Sequence, residues 1–244
     1  MPSASTLPMI HLNQIELAPS ASLCLLVNVS GSSDARQWDL EGLLSVAEQQ
    51  QYSRIVPPEE RKRRQTTRAV LRMVLGQLTG VSAFEVSIGL GLHGKPFLMG
   101  SRIVGFSVSH SNEFSLLAFA RDAEIGCDIE KKTPMKDIHA LGEVALHPEE
   151  AEVVKELHGR DAEDAFFCHW VRKEAALKAM GSGFRVDPVG LKVGLTDSEI
   201  RLRLVGDEGR APRTFNLLST RPAMDYVAAV ASLYPICRWG VLGL

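Results

Sequence analysis

A long helical stretch followed by a run of short apolar strands occurs twice along this 244-residue chain, and that order restricts the fold more than any other feature. The first helix opens at Pro57-Pro58-Glu59-Glu60, with proline and acids in its first turn, and is predicted to run to about Thr79, where Gly80 stops it. After the turn at Gly94-Lys95-Pro96, "RIVGFSVSHS" (102–111) and "FSLLAFAR" (114–121) read as strands joined by a tight Ser-Asn-Glu connection. The second pass begins with a strand over 125–130 and a polar helical region from about 137 to 158. A longer helix follows from about Ala162 to Met180, ended by Gly181-Ser182-Gly183. The tail alternates apolar and polar residues in "LKVGL", "IRLRLV", "TFNLLS" and "DYVAAVASL", which predicts antiparallel strands. Each pass ends in a similar apolar strand, "SLLAFAR" and "YVAAVAS". The expectation is an α+β chain of two similar halves, 1–122 and 123–244, each with a long helix packed on a mostly antiparallel sheet. Ahead of them, residues 1–22 read as an irregular entry and "SLCLLVNVS" (22–30) as a first strand.

Composition removes several classes of function. Lys and Arg number 27 against 29 Asp and Glu, a net charge of −2, which argues against a nucleic-acid partner, since those need a basic excess. Four dispersed cysteines (Cys24, Cys127, Cys168, Cys237) make neither a zinc site nor a disulfide framework, so free thiols in a reducing compartment are expected. No apolar run reaches the roughly 20 residues of a membrane span. The start "MPSASTLPMIHLNQ" lacks the basic and apolar regions of a secretory signal. The expected setting is cytoplasmic, without membrane association.

Charges in unusual places point to chemistry. In the segment "IGCDIEKK" (125–132), side chains of an extended chain alternate, so Ile125, Cys127 and Ile129 face one way and Gly126, Asp128 and Glu130 the other. The apolar side reads as core; the acidic side is either solvated or holds something positive. On the longer helix, Phe167, Trp170, Val171, Glu174 and Lys178 fall within an arc of about 100°. Two charges thus sit in an apolar stripe, either as an i,i+4 pair at its edge or as functional groups. Arg61, Arg64, Arg68 and Arg72 form a stripe on the first helix, suited to binding phosphate in a cleft or merely solvated. "SVSHS" (107–111) invites a hydrolase reading, but no G-x-S-x-G elbow accompanies it. His110 could instead donate to a phosphate or be an ordinary surface group, and Lys95 is a cation fixed on a turn. Oxygen donors with no Cys/His cluster favour Mg²⁺ or Mn²⁺ over zinc.

These motifs come in an order that resembles the 4′-phosphopantetheinyl transferases of the larger, surfactin-synthetase-activating type. The resemblance runs through "RRQTTRAVLRMVLG" (63–76), "HGKPFL" (93–98), "FSVSHS" (106–111), "IGCDIEK" (125–131) and "WVRKEAALKAMGSG" (170–183). Its most specific part is G-x-D-x-E followed by W-x-x-K-E-x-x-x-K. It implies two similar halves about a pseudo-twofold axis with coenzyme A between them. The implied reaction moves the 4′-phosphopantetheine arm of coenzyme A onto a serine of an acyl, aryl or peptidyl carrier protein and releases 3′,5′-ADP. By the same resemblance Asp128, Glu130 and Glu174 hold Mg²⁺, and Lys178 contacts a phosphate near it. His110, Lys95 with its neighbour Pro96, Arg68 and Lys173 bind coenzyme A, and Arg61 and Arg64 stand in for the family's 3′-phosphate ligands. Glu174 is the first candidate for the base that takes the serine proton and Glu150 the second, with Glu149 beside it. Two covalently joined halves imply a monomer. The competing readings are a catalytically silent coenzyme A or carrier-binding module and another metal-dependent phosphotransferase or nuclease.

Overall fold

The computed structural model describes residues 7–30, 42–91, 93–101, 103–181, 186–202, 209 and 211–243. In chain order the first elements are β1 (Met9–His11), β2 (Ser22–Asn28), α1 (Val46–Ser53), α2 (Pro58–Thr79), β3 (Ile88–Leu90), β4 (Pro96–Leu98), β5 (Val104–Ser111) and β6 (Phe114–Arg121). They are followed by β7 (Ile125–Lys131), α3 (Ile138–Ala145), α4 (Pro148–Lys155), α5 (Gly159–Met180), β8 (Ser198–Leu202), β9 (Arg213–Thr220), β10 (Tyr226–Ser232) and β11 (Ile236–Gly243). α2 starts and stops where its sequence dictates: Pro58 occupies the first turn with Glu59 and Glu60, and Gly80 closes the helix at φ 74°. Gly181 ends α5 in the same way at φ 69°. Ser182 and Gly183 of the expected stop lie outside the described residues, as do Arg102 and residues 203–205 of two expected strands.

Two sheets carry the fold. The first has the strand order β1-β11-β2-β6-β5 and the second β7-β10-β9-β8, while β3 and β4 form a separate hairpin. The second sheet is antiparallel throughout, whereas β11 runs parallel to both β1 and β2, so the first is mixed. The last strand of the chain thus completes the first sheet, across the expected division at residue 122.

Alternating side chains of the inner strands feed separate cores. From β2 and β6, Leu23, Leu25, Val27, Leu117 and Phe119 pack with Val70, Leu71, Val74 and Leu75 of α2. Their other faces, Cys24, Leu26, Leu116, Ala118 and Ala120, meet Ile125, Cys127 and Ile129 of β7 and Ala228 and Val230 of β10. The outer face of β10, Val227, Ala229 and Ala231, packs with Val171, Ala175, Ala176 and Ala179 of α5. The layers are therefore α2, first sheet, second sheet, α5. This explains the likeness of "SLLAFAR" and "YVAAVAS": each is an interior strand buried on both faces.

The sheets meet along a seam between their edge strands β5 and β7. Backbone N–H groups of an edge strand need partners, and the period-two serines of β5 supply them. Cys127 N–H donates to Ser107 Oγ at 3.1 Å and Lys131 N–H to Ser111 Oγ at 3.0 Å. On the other side of β7, the helix α5 comes unusually close because Gly126 has no side chain. A Cβ there would lie 2.0 Å from Ala175 O and 2.3 Å from the backbone nitrogen of Ala179.

Two expectations about the second half need correcting. The strand expected in "LKVGL" is absent: residues 191–195 form no strand, because side chains from α4 and α5, described below, bond the backbone groups that a ladder would need. α5 also begins at Gly159, before the expected Ala162. Among the described cysteines, Cys127 and Cys168 are free thiols.

The close approach at Gly126 is testable. Gly126→Ala is expected to push α5 outward and cost about 1–3 kcal/mol, the usual range for overpacking, seen as a lower thermal midpoint. An unchanged midpoint would mean that α5 is free to shift and that the contact does not set its position.

Candidate active site

The acidic face of β7 looks toward α5, and there the charges predicted from sequence come together. Asp128 is 3% exposed. Its Oδ1 accepts from Lys178 Nζ at 2.7 Å and from Ser109 Oγ at 2.7 Å, and Lys178 also reaches Ser109 Oγ at 3.1 Å. Glu130 Oε2 accepts from Ser111 Oγ at 3.0 Å. Glu174 belongs to the same electrostatic cluster, since burial first and the Asp128 charge second push its carboxyl up, with Lys178 opposing them. Burial, then repulsion by Asp128, lifts Glu130 to about 7, with Glu174 adding to the effect and Ser111 and Lys178 working against it. For Lys178, burial works against the ammonium, but Asp128, Cys127 and Glu174 outweigh it and raise the pKa. Three carboxylates thus share one cation.

Whether a divalent ion suits this cluster can be judged from its donors. The Oδ2 atom of Asp128 is buried without any hydrogen-bond partner, a costly state for a carboxylate oxygen unless something positive meets it. The donor set is all hard oxygen, as Mg²⁺ prefers. The three acids do not form a closed ligand cage, however: among the described residues no group of three His, Cys, Asp or Glu side chains stands in a metal-holding arrangement. Lys178 currently takes the place of the counter-charge at Oδ1.

Two cavities adjoin the cluster. One, of ≈290 Å³, is lined by His93, Lys95, Pro96, Phe106, Glu174, Leu177, Lys178 and Pro188 among others. The other, of ≈400 Å³, has an apolar wall of Met135, Leu141, Ala145, Phe166, Phe167 and Trp170, with Glu130, Lys131, Ser111 and Asn112 supplying its polar groups. Glu174 and Lys178 line the first and Glu130 the second, so the cluster lies between them.

The remaining predicted site residues are distributed differently from expectation. Lys95 and Pro96 line the smaller cavity, but the Lys95 ammonium is engaged by Glu124 and by Ala179 O, 3.1 Å away near the end of α5. His110 is at the exposed end of β5. Partial burial of its ring, then the Arg64 charge, holds it below the usual 6.5. The arginine stripe is tied to protein groups: Arg61 Nε donates to Ile55 O at 2.9 Å, Arg64 pairs with Glu60 at 2.6 Å, and Arg68 and Arg72 both bind Glu48. None of Arg61, Arg64 and Arg68 lines either cavity. Burial would raise the Glu48 carboxyl, but Ser45 N–H, Arg68 and Arg72 together lower it.

Glu150, the second candidate for the base, and Lys173, expected at the cosubstrate, are partners of each other. Their Oε2 and Nζ atoms are 2.7 Å apart, and the two residues are 2% and 0% exposed. Glu149 is exposed and pairs with Lys192. Reasoning from sequence missed Glu48 and the roles of Ser107, Ser109 and Ser111. The serines' period-two spacing was a signal that could have found them; nothing local marks Glu48 beyond its capping position in α1.

An acidic cluster with one lysine thus lies between two cavities on an α+β scaffold. A model described as the 4′-phosphopantetheinyl transferase superfamily matches residues 124–231. The chain is 33% identical over 199 residues to the 4′-phosphopantetheinyl transferase HetI of Nostoc sp. (strain PCC 7120), covering 79% of this chain and 80% of that protein. It is 26% identical over 188 residues to the L-aminoadipate-semialdehyde dehydrogenase-phosphopantetheinyl transferase of Xenopus laevis, covering 64% and 62% respectively. The chain belongs to the 4′-phosphopantetheinyl transferase superfamily. Among the described residues no helix is long and apolar enough to cross a membrane.

The network around Glu150 also fixes a pH dependence. His169 is 2% exposed, its Nδ1 is 3.7 Å from Glu150 Oε1, and neither ring nitrogen has a hydrogen-bond partner. Burial, opposed by the Glu150 charge and aided by Lys173 and Arg172, lowers its pKa from 6.5 to about 4. Because the folded value lies below the unfolded one, this contribution to stability is complete above pH 6.5 and is lost as pH falls toward 4. His169→Phe should therefore remove about 2 kcal/mol of the stability loss between pH 7 and pH 5. Urea unfolding of both proteins at the two pH values checks this; parallel losses would contradict it.

Proposed function

We propose that this protein transfers the 4′-phosphopantetheine arm of coenzyme A onto a serine of an apo carrier protein of the acyl, aryl or peptidyl kind, releasing 3′,5′-ADP in a reaction that depends on Mg²⁺ or Mn²⁺. The observation that carries this reading is the cluster of Asp128, Glu130, Glu174 and Lys178 between a cavity lined by cations and an apolar one. The names of the relatives, phosphopantetheinyl transferases from a cyanobacterium and a vertebrate, support the same chemistry.

Asp128, Glu130 and Glu174 would hold the divalent ion, which when bound supplies positive charge against the diphosphate oxygens. The side chains of the protein account for the rest. Lys178 and Lys95 line the smaller cavity and exchange their present carboxylate and carbonyl partners for phosphate oxygens. The apolar wall around Trp170 and Phe166, whose rings stack at 6.4 Å, takes the hydrocarbon part of the pantetheine arm. The carrier serine oxygen bonds to the β-phosphorus while the bond from that phosphorus to the bridging oxygen breaks, and the electron pair leaves with 3′,5′-ADP. Glu174, whose carboxyl is raised by burial and by Asp128, accepts the serine proton. Catalysis in such a site comes mainly from positioning and charge neutralisation.

The test is incubation with coenzyme A, Mg²⁺ and apo-carriers of acyl, aryl and peptidyl pathways, followed by intact-mass measurement. Addition of one phosphopantetheine to at least one carrier is expected, and no addition to any carrier with either Mg²⁺ or Mn²⁺ overturns the proposal. Asp128→Asn and Glu174→Gln should each lower turnover by about 10²-fold or more while the proteins remain folded. Chelation should stop transfer and added Mg²⁺ restore it.

A further inference from the structure

Residues 186–198, between α5 and β8, contain only a short 3₁₀ turn at Pro188–Gly190 and no strand pairing until β8 begins at Ser198. Buried charges hold this segment in place. Lys173 Nζ donates to Pro188 O at 2.9 Å and to Leu191 O. Glu150 Oε1 accepts from the N–H groups of Val193 at 2.6 Å and Gly194 at 3.3 Å. Arg172, 0% exposed, donates to Val193 O, Thr196 O and Ser198 Oγ. The segment so tethered is part of the wall of the smaller cavity, to which Val186 and Pro188 contribute together with Lys95, Glu174 and Lys178. Neither Glu150 nor Lys173 lines that cavity or the apolar one.

The carboxylate of Glu150 is fully committed. Its Oε1 takes two backbone N–H groups, and its Oε2 takes Lys173 at 2.7 Å and His147 N–H at 3.1 Å. A carboxylate offers about four acceptor positions, and four donors already fill them. No lone pair is left for a serine proton.

We propose that Glu150 is a positioning residue: through its ion pair with Lys173 it sets the Pro188 wall of the coenzyme A cavity, and it is not the proton acceptor of the reaction. This rests on the reading of the smaller cavity as the coenzyme A site. Removing one member of a buried pair leaves the other charge uncompensated and disturbs what it holds. The effect should therefore fall on the cosubstrate.

Glu150→Gln keeps an acceptor for Val193 N–H and removes the ion pair. The expected result is a rise of about tenfold in both the KM and the dissociation constant of coenzyme A, with kcat at saturating coenzyme A within about threefold of wild type, since a lost ground-state contact acts on KM. The acidic limb of the kcat–pH profile should be unchanged. Lys173→Gln should give the same split, and the double variant should add little, because the two changes remove one interaction. If Glu150→Gln does not fold, Pro188→Gly alters the same wall without touching a buried charge and should raise the KM for coenzyme A alone. A fall in kcat of about 100-fold or more, or loss of the acidic limb, would restore Glu150 as a base and overturn the proposal. Unchanged coenzyme A affinity in Glu150→Gln, or in Pro188→Gly where that is the variant measured, would overturn it too. Wild-type protein that binds no coenzyme A overturns the cavity reading and this inference together; wild-type binding with any of the preceding contrary results overturns this inference alone.

Discussion

The geometry of the site depends on how closely α5 can lie on β7. Gly126 permits a helix backbone to approach within a distance that no other residue would allow, with Ala175 and Ala179 as the small residues facing it. Glu174 and Lys178, four residues apart, flank that contact and so hang over the two strand positions that follow Gly126 on the same face, Asp128 and Glu130. The glycine of G-x-D-x-E thus sets the reach of α5: without it the helix carrying half the charges would stand too far off for the 2.7 Å contact between Lys178 and Asp128. The serine seam works from the other side. By satisfying the edge N–H groups of β7, Ser107 and Ser111 lock that strand against β5, leaving Ser109 to fix Asp128.

Within two turns, α5 uses its charges in two opposite ways. Arg172 and Lys173 point into the protein and are fully buried, each surrounded by carbonyl oxygens and acids that replace water. Glu174 and Lys178 line the cavity instead, and there the carboxylates are under-compensated, as the raised carboxyls of Glu174 and Glu130 record, while Lys178 is held by Asp128. The contrast separates scaffold from site on physical grounds. A buried charge ringed by partners, as Lys173 is by Glu150 and two carbonyls, holds structure, whereas a carboxylate left with an unfilled oxygen, as Asp128 is, favours a positive charge beside it.

Much of this was legible in the sequence, and the failures share a cause. The ends of α2 at Pro58 and Gly80, the stop of α5 at Gly181, and strands β5, β6, β7 and β10 follow from local signals of capping and alternation. So does the separation of Ile125, Cys127 and Ile129 from Asp128 and Glu130 onto opposite faces. What local patterns could not give was the partner of each charge. "LKVGL" alternates like a strand, but Lys173 and Glu150, remote in sequence, take up the backbone groups it would need for a ladder. The arginine stripe has the spacing of a phosphate cradle, yet Glu48 lies 20 residues before Arg68 and claims it. The mixed character of the first sheet was hidden for the same reason, because β11 inserts between β1 and β2 from the far end of the chain.

The two lysines that line the smaller cavity are each held by protein groups: Lys178 by Asp128, and Lys95 by Glu124 and a carbonyl of α5. This has a physical consequence for binding. Long basic side chains lose rotamer freedom when a ligand fixes them, but here Asp128 and Glu124 have already oriented two ammonium groups at the cavity. Under the proposed function, an arriving phosphate would exchange with a carboxylate that is itself repelled by its neighbours, as Asp128 is by Glu130 and Glu174. Releasing Asp128 from Lys178 then exposes a carboxylate beside two others, the situation in which positive charge is most favoured. Under the proposed function, binding of the anion by the lysine and recruitment of a cation by the acids would in this way be coupled: each would make the other's partner available.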